Sequence, residues 1–317
     1  MKHFDAATTA AALPFPALIA ALERMFVAGC EVPARHVHAI GDELTTLVMP
    51  AWQAGRYLGI KTVHVAPGNA ALGLPGLFAT YQLFDARTGV PLALIDGNEI
   101  TARRTAAASA LAASRLARAD SSRLLIVGAG RVASLLAQAY RVVLPIAEVT
   151  VWARDPQAAT RLATALDGAG IAARVATDLG AAAARADIVS CATLSAAPLI
   201  RGEWLRLGTH LDLIGGFTPA MREADDACFA GADVWVDTAE ALVKSGDLLH
   251  PMASGVLRRE DVRGTLADLC ARPRAERDAA VLTVFKSVGT ALEDLAAAIL
   301  VYETAAILVY ETAGVVG

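Results

Sequence analysis

Two kinds of hydrophobic pattern divide this chain. In its first hundred residues apolar and polar positions alternate: residues 44–49, 57–65, 77–84 and 91–95 read as strands that bury one face. The last two are joined across Asp85-Ala86-Arg87-Thr88-Gly89, a hairpin connection with glycine near its end. Ahead of them, residues 16–28 place Leu18, Ile19, Leu22, Met25 and Phe26 on one side of a helix that stops at Gly29. This third predicts a mostly antiparallel sheet. From Leu124 onward the alternation gives way to short segments at residues 148–155, 187–193, 209–216, 233–238 and 281–287, separated by helical stretches. Such runs are strands buried on both faces, and the predicted fold class is α/β with a doubly wound parallel sheet of the Rossmann kind.

Where the second pattern begins, Leu124-Leu125-Ile126-Val127-Gly128-Ala129-Gly130-Arg131-Val132-Ala133 reads as strand, glycine turn and first helical turn. Gly128 permits the tight turn, Gly130 lets the backbone approach a pyrophosphate, and Ala133 allows close helix–strand packing. Val132, Leu135, Leu136, Ala139 and Val143 then recur at helical spacing, so the amide groups at the helix entrance, around Arg131 and Val132, face the phosphates. Ala153-Arg154 stands at the end of the second strand, where an acid suits NAD(H) and an arginine a 2′-phosphate. Arg154 favours NADP(H); Asp155, one step on, competes for that corner and keeps NAD(H) open. The strand over residues 187–193 ends in small polar residues, as a strand facing a cofactor does, with Thr193 last.

The linking segment carries candidate anion-binding groups. Thr101 is predicted to N-cap an alanine-rich helix over residues 102–118, with Arg104 in its first turn. An arginine at a helix N-terminus makes a carboxylate site, and Arg103 points about 100° away, so one of the two serves it. On spacing alone a solvated pair fits equally well. Lys61 shares its strand face with Val63 and Val65. The strand by itself fits an edge lysine reaching for water better than a cation held for an anionic substrate.

Composition narrows the function classes. Apolar residues make up 55 % of the chain and aromatics 5 %, so alanine and leucine carry the core, and a net charge of −4 offers no basic field for nucleic acid. Cys30, Cys191, Cys228 and Cys270 form no C-x-x-C pair, which points to a reducing cytoplasm rather than disulfides or zinc. Cys191 and His210 read as core residues, and His36 with His38 do not suffice for a metal site. Pro14 and Pro16 break the early apolar stretch, so no signal peptide is expected; Glu303 and Glu311 interrupt the last one, so no membrane span is expected. Residues 298–305 are repeated identically as 306–313. Eight residues overshoot two helical turns by about 80°, so the copies present different faces. The repeat reads as an extension of a terminal helix with no function of its own.

Taken together, Pro33-Ala34-Arg35, Met49-Pro50, Gly59-Ile60-Lys61, Asn69, Leu74-Pro75, Asp96-Gly97 and the glycine turn resemble the ornithine cyclodeaminase and mu-crystallin family along nearly the whole chain. Thr101-Ala102-Arg103-Arg104-Thr105-Ala106-Ala107 is similar to the family's T-A-x-R-T-x-A, and Phe285-Lys286-Ser287-Val288-Gly289 with Glu293-Asp294-Leu295 to its closing motif. The resemblance implies a substrate and dimerisation domain of α+β type, residues 1–120 with 288–317, around an inserted Rossmann domain, residues 121–287, in a homodimer. It implies that Arg35, Lys61 and Arg104 hold a substrate α-carboxylate, with Lys61 and Arg104 catalytic. Thr105, Thr193 and Val288 join Gly128, Gly130, Arg131, Val132, Ala133 and Arg154 on the cofactor.

One departure is informative. Where the cyclodeaminases carry a catalytic aspartate in G-A-D-x-P-G-K, this chain has Gly215-Gly216-Phe217-Thr218-Pro219-Ala220-Met221-Arg222-Glu223. Phe217 cannot position a substrate amine or move protons. An apolar ring suits a substrate without a distal amine, and the stretch is similar to the Δ1-pyrroline-2-carboxylate reductase branch. The implied reaction is hydride transfer to C2 of Δ1-pyrroline-2-carboxylate or Δ1-piperideine-2-carboxylate, giving L-proline or L-pipecolate. Ornithine cyclodeamination, alanine dehydrogenation and an NADPH-dependent binding protein without turnover are the alternatives.

Overall fold

The computed structural model describes residues 1–273 and 280–313, with the side chains of all of these except residues 70 and 305–313. The chain forms two compact units, Met1–Arg104 with the segment from Thr290 onward, and Thr105–Gly289.

The first unit opens with β1 (Lys2–Phe4), α1 (Ala6–Ala11) and α2 (Phe15–Ala28), followed by β2 (His36–Ile40), β3 (Leu44–Gln53), β4 (Tyr57–Val65), β5 (Leu77–Asp85) and β6 (Pro91–Asp96). These strands make one sheet in the order β1-β6-β5-β4-β3-β2, antiparallel except for the β1–β6 pair. Register puts Met49, Lys61, Tyr81 and Ile95 in one cross-strand row, all buried. The neighbouring row of Val48, Thr62, Thr80 and Asp96 faces the other way. Alternation along each strand thus sorts one side chain inward and the next outward. β3 runs four residues beyond its expected end because Ala51 and Trp52 go on pairing with Gly59 and Leu58.

From Asp96 the chain turns into α3 (Gly97–Leu116). The Asp96 side chain accepts the Glu99 amide at 2.7 Å, so the helix begins five residues before the expected start of 102. Thr101 lies inside the helix, its hydroxyl donating back to the Gly97 carbonyl at 2.7 Å, and does not cap it. Arg104 is therefore about two turns in, away from the amide groups at the N-terminus. The compact units divide within α3, after Arg104, and the second claims the rest of the helix. Within that unit Ser109 donates to Asp212 and the Leu116 carbonyl accepts from Thr283.

The second unit continues with β7 (Arg123–Val127), α4 (Ala133–Val143), β8 (Glu148–Trp152), α5 (Pro156–Gly168), β9 (Ala173–Val175), α6 (Leu179–Arg185), β10 (Ile188–Cys191), β11 (His210–Leu213), β12 (Asp233–Val236), α7 (Ala241–Lys244), α8 (Gly246–Ala253), β13 (Val262–Thr265), α9 (Leu266–Ala271) and β14 (Thr283–Lys286). Its eight strands are all parallel, in the order β13-β12-β14-β11-β10-β7-β8-β9. The order reverses beside β7: the chain first moves outward to β8 and β9, then returns to β10 on the other flank. Ligands bind at the carboxyl ends of the strands at such a switch point. Leu125, Val127, Val189, Leu211, Leu213, Val234 and Val284 are all buried in one core, which explains why these segments read as continuous apolar runs.

α10 (Ala291–Ala313) returns to the first unit and packs on α2, β3 and β4. Both copies of the octapeptide lie within its span; the side chains of the second copy fall outside the described residues. Among the described residues no helix is long and apolar enough to cross a membrane, and all four cysteines are free.

Candidate functional site

In the first unit, buried cations meet buried acids. Lys61 on β4 and Arg104 on α3 are 2 % and 6 % exposed. The Lys61 Nζ lies 2.6 Å from Asp294 Oδ2 and donates to the Thr101 hydroxyl at 3.3 Å. Arg104 donates from Nε to Asp294 Oδ1 at 3.0 Å and from Nη1 to Glu293 Oε2 at 2.5 Å. Asp294 thus bridges the two cations, and two acids balance two bases. Burial lowers the Lys61 ammonium to about 8, with Arg104 adding to the effect and Asp294 opposing it. Burial would raise the Asp294 carboxyl, but the Lys61 and Arg104 charges outweigh it and hold it below its ordinary value. Gly59, two residues before Lys61, makes room for a neighbour: a Cβ there would lie 1.8 Å from the Tyr81 hydroxyl oxygen. Arg103 turns away as its spacing required, to Glu99 at 3.1 Å and over the Phe15 ring. Arg35 is half-buried on the segment leading into β2.

In the second unit the glycine turn separates two jobs. Gly128 has φ 118°, its amide donates to the Trp152 carbonyl at 2.8 Å, and a Cβ there would lie 2.5 Å from the Ala192 carbonyl oxygen. Its lack of a side chain serves the close approach of β7 and β10. A Cβ on Gly130 would meet no protein atom within 4 Å. Arg131 is exposed, Val132 precedes the first residue of α4, and Ala133 is fully buried where α4 packs on β7. An open glycine beside a helix N-terminus fits a dinucleotide pyrophosphate. At the end of β8, Arg154 is exposed, while Asp155 accepts the Gln157 amide at 2.9 Å to cap α5 and pairs with Arg161 at 3.5 Å. The acid that competes for the ribose corner is occupied by its own helix.

The loops after β10, β11 and β14 are tied by buried acids. Glu223 Oε1 accepts the amide and hydroxyl of Thr193 at 2.7 and 2.8 Å, and its Oε2 accepts the Gly215 amide at 2.6 Å. Asp247 Oδ1 accepts the amides of Glu223 and Ala224 at 2.7 and 3.2 Å, and its Oδ2 lies 3.1 Å from Lys286 Nζ. Asp237 Oδ2 accepts the amides of Val288 and Gly289 at 2.7 and 2.6 Å. Asp212 accepts hydroxyls from Ser190, Tyr140 and Ser109 at 2.5, 2.8 and 3.1 Å. Burial pushes Glu223 up to about 7 against the pull of Lys286, and Asp212 up to about 6 against its three hydroxyl donors. The paired glycines follow from this packing. A Cβ on Gly215 would lie 1.7 Å from the Thr193 carbonyl oxygen, and one on Gly216 would lie 2.1 Å from Asp247 Oδ2. Phe217, next in line, is 45 % exposed.

Of the residues singled out in the sequence, Lys61 and Arg104 come together in the first unit. Gly128, Gly130, Arg131, Val132, Ala133 and Thr193 cluster at the switch point of the second; Arg154 lies two residues past the end of the adjoining strand β8, and Thr105 is buried on α3. Cys191 is fully buried, which drives its thiol well above the ordinary value, and His210 Nδ1 lies 2.9 Å from the Thr283 hydroxyl. Among the described residues no group of three or more His, Cys, Asp and Glu is placed to hold a metal ion. The corrected expectation concerns the place of Arg104: it lies about two turns into α3 rather than in the first turn of a helix capped by Thr101, and it pairs with acids of α10. Sequence reasoning quoted Glu223, Lys286, Glu293 and Asp294 only as motif letters and passed over Asp237 and Asp247. Nothing local marks an arginine's partner 190 positions away.

Known proteins share this architecture. The chain is 48 % identical over 255 residues, 79 % of its length and 80 % of the relative's, to a Δ1-pyrroline-2-carboxylate reductase of Paracoccus denitrificans. Its fold superimposes with a TM-score of 0.90 on the Thermococcus litoralis Δ1-pyrroline-2-carboxylate reductase in complex with NADH and L-proline, at 32 % identity and covering 96 % of this chain and 97 % of that one. An archaeal alanine dehydrogenase dimer with bound NAD follows at a TM-score of 0.89 and 30 % identity, with 96 % of each chain covered. The sequence model of the ornithine cyclodeaminase/mu-crystallin family matches residues 10–307, and the chain belongs to that family.

Proposed function

We propose that the protein reduces a cyclic α-imino acid, Δ1-pyrroline-2-carboxylate or its six-membered homologue, to the corresponding L-amino acid with NADP(H). The observation that carries the choice of reaction is Phe217, an exposed apolar ring where cyclodeamination requires a carboxylate. The Paracoccus and Thermococcus reductases support the same choice.

When bound, the dinucleotide supplies the hydride that C2 of the imine accepts. Gly130, Arg131 and Val132 would hold its pyrophosphate, Arg154 its 2′-phosphate, and Thr105, Thr193 and Val288 the nicotinamide end. Arg104 and Lys61 take the substrate carboxylate. Their orientation is already held by Glu293 and Asp294, so little reorganisation is needed when the anion arrives. Those two acids cancel the two cations, and Arg35 adds the positive charge that offsets the substrate's own. Lys61 gives a proton to the ring nitrogen as C2 is reduced, is left neutral, and recovers the proton from solvent. A homodimer in a reducing cytoplasm belongs to this reading, with the first unit carrying the interface.

The test is NADPH oxidation followed by absorbance with Δ1-pyrroline-2-carboxylate and Δ1-piperideine-2-carboxylate, beside NADH wells and wells of L-ornithine with NAD. Turnover of an imine and none of ornithine is expected, with Phe217→Asp gaining ornithine turnover. Ornithine-dependent NAD reduction by the wild type would overturn the proposal. Tight NADPH binding with every substrate silent would instead make this a binding protein.

A further inference from the structure

Glu223 is fully buried, and three donors converge on its carboxylate: two backbone amides and the Thr193 hydroxyl. The amides donate in every state. Of the three, only the hydroxyl reverses, because it both donates and accepts. The charged surroundings are one-sided. Lys286 on β14 pairs with Asp247 on α8, and Asp212 on β11 is a further buried acid. The buried thiol of Cys191 on β10 faces Glu223, Asp212 and Asp247, that of Cys228 before β12 faces Asp247, and Asp237 just after β12 is another buried acid. Lys286 is already paired with Asp247, so an ionised Glu223 and an ionised Asp212 both add charge beyond that pair. Burial and the neighbouring Asp247 favour its neutral form, pushing it up to about 7.

We propose that Glu223 is a positioning residue that sets the direction of the Thr193 hydroxyl. Ionised, it draws that hydroxyl inward; protonated, it donates to the hydroxyl oxygen and turns the Thr193 proton outward, toward a hydrogen-bond acceptor of the bound dinucleotide. The proton comes from solvent and stays on Glu223, and no other bond changes. This rests on the dinucleotide reading above. Its consequence is linkage: binding takes up a proton, so affinity falls as pH rises through neutrality.

Isothermal titration of the full-length protein with NADPH at pH 7.5, in two buffers of different ionisation enthalpy, measures that proton. At this pH the 2′-phosphate, with a second pKa of about 6, is already ionised. The wild type is expected to take up about two-thirds of a proton per site and to lose about tenfold in affinity between pH 7 and 8.5. Thr193→Val, which keeps the amide that Glu223 accepts, is expected to bind without proton uptake. Infrared titration of the ligand-free protein should show a protonated-carboxyl band fading near pH 7, missing from Glu223→Gln. NADPH binding by the wild type without proton uptake, or uptake undiminished in Thr193→Val, would overturn the inference while leaving the dinucleotide site standing. No NADPH binding at any pH would overturn both.

Discussion

The two units each bury a cluster of charge, and the clusters differ in balance. In the first, Lys61 and Arg104 face Glu293 and Asp294, two against two. In the second, among the described residues, Lys286 faces Asp212, Glu223 and Asp247, all fully buried. Desolvation disfavours charge in both, yet it falls on different groups. Where acids match bases, Asp294 stays ionised and the lysine moves, down to about 8. Where acids outnumber the base, the carboxyls move, Glu223 up to about 7 and Asp212 up to about 6. Burial is the largest influence on Lys61, Glu223 and Asp212 alike, and the charges that share each volume add to it or oppose it.

The comparison breaks most severely if the balanced cluster is made acid-rich. Arg104→Met leaves Glu293 and Asp294 with one cation, and breaking a buried ion pair costs about 3–5 kcal/mol of stability. Imine reduction should fall by at least about thirtyfold in kcat/KM, because a buried charged contact to the substrate is worth about 2–5 kcal/mol. An acid left without its cation has a folded-state pKa above its unfolded value. Its contribution is present at low pH and lost as pH rises through the folded value, so the stability deficit should narrow on acidification. Chemical denaturation at pH 5.5 and 8, with steady-state kinetics, checks both parts.

The glycines offer a sharper contrast. Gly216→Ala drives a Cβ against Asp247 Oδ2 and should cost about 1–3 kcal/mol, read as a lower melting temperature. Gly130→Ala meets no protein atom and should melt like the wild type, yet bind NADPH at least about tenfold more weakly, since the methyl stands where the pyrophosphate approaches. A Gly130→Ala variant with unchanged affinity would detach the turn from phosphate binding. The smallest effect is on a pH profile: kcat/KM should decline above about pH 8 as Lys61 loses its proton. Glu293 helps hold that proton, so Glu293→Gln should move the alkaline limb to lower pH.

Periodicity located the strands well because each sheet imposes a simple rule. Alternation places Lys61 beside Val63 on the buried side of β4, and continuous runs mark strands covered on both faces. The start of α3 was misread because threonine is a common cap, while Asp96-Gly97 one turn earlier did the capping. The start at Gly97 places Arg104 about two turns in, buried in the interior rather than at a helix end.

The sequence by itself determined the two sheet types, the glycine turn and the substitution at 217, all of which show in residue types at short spacing along the chain. Only the tertiary structure decided what the charged side chains do. Lys61 reads from its strand as an edge lysine, and Glu223 as one letter of a motif. Their protonation depends on Asp294 and Asp247, brought to them by α10 and α8 from far along the chain. Desolvation and charge balance are properties of a volume, and a linear pattern does not specify which charges share it.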